Sequence, residues 1–146
     1  MECLQLYREL GNKSGQAMAL VDLAMVAAGQ NDQPRATQLY LEALALAWQI
    51  GDRRRIAFCL EGLSRAAVEV DPERATYWLS AADWLRQAIA TPLPPAEQAA
   101  HDRVLEQLHQ RLSPALFEAG WQYGRGTSLD EVVMPLVEPH SRTEDA

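Results

Sequence analysis

The sequence predicts an all-α domain assembled from antiparallel helix pairs and closed by short helices at its C-terminal end. Three observations predict it. Ala and Leu occur 23 and 20 times against 8 Val, 3 Ile and 5 Thr, a ratio that suits crowded helix interfaces better than pleated sheets. Apolar residues recur at intervals of three and four through most of the chain, as on a helix with one buried face. The chain also matches itself when slid by 40 positions, and a period of that length marks stacked helical repeats.

Composition narrows the function classes. At 146 residues, 48% apolar and 23% charged, the chain has room for one domain and enough apolar surface to bury a core. A formal charge of −7 gives phosphates nothing to bind, which argues against a nucleic-acid-binding domain. Cys3 and Cys59 can form one bridge at most, and the start, Met1 to Leu6, lacks a signal peptide's basic and apolar regions. The most apolar stretch, Ala17 to Ala28, contains Asp22 and falls short of the ~18–20 residues that cross a bilayer. A reduced, cytoplasmic protein is expected.

The elements follow in order along residues 1–137, with 138–146 expected as a frayed tail. Residues 1–12 read as a half repeat, because the 40-residue shift lays Leu4, Leu6, Leu10 and Gly11 on Leu44, Leu46, Ile50 and Gly51. A chain that begins in mid-repeat leaves an apolar face without its neighbour. It is therefore expected to be a fragment of something larger, with Leu4, Leu6 and Leu10 partly uncovered and prone to pair with a second copy. Residues 13–51 form the first pair. Its helix A runs over 14–28 on Ala17, Leu20, Val21, Ala24 and Ala27 and stops at Gly29-Gln30-Asn31; its helix B follows the cap Asp32 on Ala36, Leu39, Tyr40, Ala43, Leu44 and Ala47. Residues 52–90 repeat the scheme with Cys59, Leu60, Leu63 and Ala67, then Asp71-Pro72 as the next helix start, then Ala75, Trp78, Leu79, Ala82, Leu85 and Ile89.

Thr91-Pro92-Leu93-Pro94-Pro95 breaks the pattern, and residues 95–137 form the closing cap. A long helix carries Ala100, Val104, Leu105, Leu108 and Leu112. Ser113-Pro114 starts a second helix, and the S-x-x-E box Ser128 to Glu131 a third. Gly120, Gly124 and Gly126 around Trp121 and Tyr123 read as a tight glycine turn, with Trp121 and Phe117 buried against the long helix.

Leu20, Leu23, Ala24 and Ala27, followed by Ala36 and Tyr40, resemble the tetratricopeptide pattern, and Leu60, Leu63, Ser64, Ala67, Ala75 and Leu79 follow it more weakly. A broader likeness covers about residues 15–137. Trp78-Leu79-Ser80-Ala81-Ala82-Asp83-Trp84-Leu85-Arg86, Pro92 to Glu97, Phe117, Trp121, Gly124-Arg125 and Ser128 to Val132 resemble the helical tail of large bacterial LuxR-type and related ATPase-containing transcriptional regulators. The resemblance implies a tetratricopeptide-like superhelix that serves as a sensor or protein-interaction scaffold, with DNA binding left to another domain. It implies no catalytic residue. The chain departs from the family at Ala90, where glycine is usual, and at Ser113-Pro114, where Gly-Glu is common.

The residues nominate no chemistry of their own. His101 and His109 stand eight apart, too far to share a metal. Cys59 aligns on Ala19 and Cys3 on Ala43, as small residues in packing positions. No Ser, His and acid set suggests a triad, Gly124-Arg125-Gly126 lacks the strand of a phosphate loop, and Arg53-Arg54-Arg55 reads as a solvated corner. No catalytic residue, cofactor or metal is expected. The expected function is a non-catalytic scaffold for a protein, peptide or small ligand within a larger regulator; the alternatives are a free-standing adaptor and, last, a small hydrolase. By resemblance, a partner groove falls on Met18, Val21 and Met25, and at the shifted positions Phe58, Glu61 and Arg65.

Overall fold

The computed structural model describes the backbone of residues 2–144 and the side chains of residues 3–138. Over that range the chain is all-α. Its helices are α1 (Glu2–Glu9), α2 (Lys13–Gly29), α3 (Gln33–Ile50), α4 (Arg53–Ala67), α5 (Pro72–Ala88), α6 (Pro95–Arg111), α7 (Pro114–Gly126) and α8 (Leu129–Glu144), with no strand among the described residues.

Capping chemistry sets the helix starts. Asn12, Asp32, Asp52, Asp71 and Ser113 each accept the backbone N–H three residues on, which satisfies one of the amides a first turn leaves free. Ser128 does the same for Glu131. Helix α6 has no side-chain cap; it opens on Pro94-Pro95, and Pro95 brings no N–H that needs a partner. At the ends, Gly51 turns the chain out of α3 at φ 69°, a left-handed conformation that costs glycine little. Ala90 makes the same kind of turn at φ 53° after α5, with a Cβ that this conformation disfavours. That is the position where the family resemblance led to an expectation of glycine.

Helices α1 to α5 each pack on the next across connections of two to four residues, so neighbours run antiparallel. The main core holds Leu20, Tyr40, Leu44, Ile56, Leu60 and Leu85, and it is completed by Val132, Val133 and Val137 of α8. Helix α8 therefore turns back onto α3 and α5 instead of sealing the far end. A second, smaller core joins Val68, Ala75 and Leu79 to Val104 and Leu108 of α6.

The C-terminal third differs from its sequence reading in three respects. Gly120 and Gly124 lie inside α7, not in a turn. The Thr76 side chain sits beside Gly120, and a Cβ on Gly124 would overlap the Tyr77 carbonyl and Ser80. Ser80 Oγ donates to the Trp121 carbonyl across the same seam. These glycines let α7 approach α5 closely, so the residues that suggested a turn are a packing face. Second, Phe117 and Trp121 are half-buried: they stack on each other and Phe117 lies on His109 of α6, but neither is enclosed. Third, α8 runs past residue 137 to Glu144; of the expected tail 138–146, the side chains after Glu138 and residues 145–146 lie outside the described residues. At the other end, Leu4 is buried while Leu6 and Leu10 are 56% and 75% exposed.

Replacing Gly124 with Ala is expected to cost about 1–3 kcal/mol, because a backbone carbonyl must move to admit the methyl. At Gly126, which has no neighbour within 4 Å, the same change is expected to be neutral or to stabilise by about 0.5–1 kcal/mol. Ala90→Gly is expected to gain about 0.5–1 kcal/mol by relieving the left-handed alanine, less what the freer unfolded chain gives back. Urea denaturation of the three variants checks all of these.

Candidate functional site

Helices α2 and α4 present neighbouring faces to a common groove, because α3 returns the chain between them. Their seam positions are small: Ala17, Ala24 and Ala57 are fully buried. The longer side chains of the same helices are left facing the groove. Met18, Val21 and Met25 of α2 and Phe58 of α4 line one cavity of about 450 Å³. Met18 and Met25 are 43% and 46% exposed, Val21 is buried and Phe58 half-buried. Asp22, Arg54 and Glu97 of α6 add charge around this apolar floor. Asp52 and Arg55 also border it but are engaged with each other, the Asp52 carboxylate capping α4 and meeting the Arg55 guanidinium at 3.2 Å.

The other two groove residues expected from sequence, Glu61 and Arg65, do not line this cavity; with Phe58 they border a void of about 10 Å³ between α4 and α6. Glu61 is buried, and both of its oxygens accept from Arg86 of α5, at 2.6 and 2.8 Å. The Arg86 side chain is 7% exposed, and its remaining amino group donates to the Thr91 carbonyl at 3.2 Å. A two-pronged guanidinium–carboxylate contact fixes direction as well as distance. This one ties α4 to α5 and holds the start of the proline loop against both. Glu61 therefore has its charge answered inside the protein. Arg65 lies by the buried Tyr40 hydroxyl, where it partly offsets the burial that pushes the phenol above its ordinary pKa. The Tyr40 ring occupies the slot left by Gly62, where any Cβ would overlap it.

Arg86 is the buried charge that sequence reasoning did not single out. Its signal was a lone base beside the buried stripe of α5, between Leu85 and Ile89, with a lone acid on the buried stripe of α4 to answer it. The cysteines differ from each other. Cys59 fills a fully buried packing position as expected, and burial pushes its thiol up to about 12; Cys3 is exposed, not packed. Among the described residues, no group of three or more His, Cys, Asp and Glu is placed to hold a metal, and no helix is long and apolar enough to cross a membrane.

No family model, no curated protein and no solved structure matches this chain. What its groove does must be argued from the residues themselves.

Arg86→Met is expected to cost about 3–5 kcal/mol, because it strands the Glu61 carboxylate in a buried site. Adding Glu61→Leu should recover most of that loss, and chemical denaturation of the single and double variants measures the difference. In the native protein Cys3 should react at once with a thiol reagent and Cys59 only after unfolding. Below pH 9, the ordinary thiol value, Cys59 is protonated in both states. From about 9 to about 12 only the unfolded thiol ionises, so stability should fall by up to ~1.4 kcal/mol per pH unit. Cys59→Ala should lack that part of the alkaline slope.

Proposed function

We propose that the chain is a non-catalytic interaction scaffold, a tetratricopeptide-like stack of helix pairs that binds an apolar or helical peptide in the groove between α2 and α4. One observation carries this reading: Met18, Val21, Met25 and Phe58, from two helices separated by all of α3, line a single open cavity. Adaptable thioethers beside an aromatic ring favour an apolar partner face. The 40-residue self-match and the packing of each helix on the next support the repeat reading. The resemblance to the helical tails of LuxR-type and ATPase-containing regulators supports a cytoplasmic role in transcription control, with this region coupling a bound partner to domains elsewhere. A free-standing adaptor, which the same groove would serve, is the second reading. An open reading frame that continues upstream into a nucleotide-binding domain decides for the regulator.

The groove is tested with a fluorescent amphipathic helical peptide and an acidic control of equal length. The apolar helix should bind and the acidic peptide should not. Met25→Glu and Phe58→Glu should each weaken binding about tenfold or more by placing a charge on the apolar floor. Intact folding with undiminished binding in both variants removes the groove from consideration.

A further inference from the structure

A second cavity, of about 420 Å³, lies on the other side of Glu61, between α4, α5 and the first turns of α6. Its floor is the Glu61–Arg86 pair, whose charges cancel. Its wall is the proline loop, with Ala90, Pro92 and Leu93 facing in. Arg86 grips this loop through the Thr91 carbonyl, and the left-handed Ala90 is strained in the same wall. Such strain persists only where the surroundings hold it, and it concentrates at ligand sites.

Asp83, Gln87 and Gln98 bring acceptor oxygens to the mouth. Gln87 gives its amide N–H to Asp83 at 3.0 Å, and Gln98 gives its own to Asp102 at 3.0 Å. Each amide keeps its carbonyl oxygen, and one further N–H, to offer. Asp83 adds a carboxylate whose nearest cation, Arg125, stands 3.9 Å away. His101 separates this cavity from a void of about 10 Å³ under α6, and its buried Nδ1 has no hydrogen-bond partner. A mouth of acceptors around a carboxylate, backed by an apolar wall, matches a donor-rich cation on a hydrocarbon body. We propose that this cavity binds a small primary amine, its ammonium group held by Asp83, Gln87 and Gln98 and its apolar body lying on Leu93 and Pro92. The proposal uses none of the peptide-groove residues and stands or falls apart from that reading.

The experiment is an amide-resonance titration of the full chain at pH 7 with cyclohexylmethylamine, cyclohexylmethanol and cyclohexanecarboxylate. The amine should saturate with shifts centred on Gln87, Leu93 and Gln98, and it should bind about tenfold tighter than the alcohol, as a charge-assisted contact does over a neutral one. The carboxylate should not bind. Asp83→Asn should weaken the amine about tenfold, while Gln98→Glu, an exposed change in the first turn of α6, should tighten it. Equal affinity for amine and alcohol overturns the proposal, as does an amine that fails to saturate or shifts centred on Met18 and Phe58. Should Asp83→Asn disturb the fold, Gln98→Glu decides: unchanged or weaker amine binding in that variant also overturns it.

Discussion

The distance at which helix backbones meet controls everything else in this protein. A helix seam closes only as far as its largest side chain allows, and here Ala, Gly and Ser stand among the larger core residues where the backbones come close. Ala43, Ala47, Ala57, Ala75 and Ala82 are fully buried. Each buries little area, but each orders with almost no loss of side-chain freedom, so a close seam gains packing without the entropy cost of longer chains. Two tyrosines enter opposite a glycine. Tyr7 lies over Gly15, and Tyr40 over Gly62. The α5–α7 contact carries the same logic further, because there the backbone itself fills the space a Cβ would need.

Close seams push the longer side chains outward, and that is how the groove arises. With α2 and α4 packed closely on α3, Met18 and Met25 gather on the open face beside the half-buried Phe58. The Glu61–Arg86 pair then does what alanines cannot. Apolar seams of similar small residues allow a helix to slide by a turn, whereas a two-pronged ion pair has one good register. Burying two charges carries a desolvation cost that well-packed apolar residues would avoid, so the pair is better understood as fixing the arrangement than as strengthening it. Its third contact, to Thr91, extends the fixed register to the proline loop and so to the wall beneath α6.

Periodicity in the sequence revealed the helices and their capped starts, since Asp32, Asp71, Ser113 and Ser128 act within three residues of themselves. It revealed which face of each helix is apolar, but not which neighbour meets that face. Gly120 and Gly124 show the gap: a glycine fits a turn and a close seam for the same steric reason, and only the presence of α5 decides between them. Glu61 shows it again. The shift by 40 lays it on Val21, and Val21 does line the groove, yet an acid at that place can be held inward by a base 25 residues away. Cys3 aligns on the buried Ala43 but lies exposed, because the contacts around α3 have no counterpart on α1.

That last difference explains the path of α8. Leu6 and Leu46 occupy the same place in the repeat, yet Leu6 is 56% exposed while Leu46 is half-buried against the main core. The two helices differ in their neighbours. Helix α3 is flanked by α2 and α4 and covered by α8, whereas among the described residues α1 packs extensively on α2 alone. Val132, Val133 and Val137 join the main core and place α8 against α3 and α5. No described residue of α8 lines the cavity between α2 and α4. Without α8 in that position the main core would lack three of its buried valines.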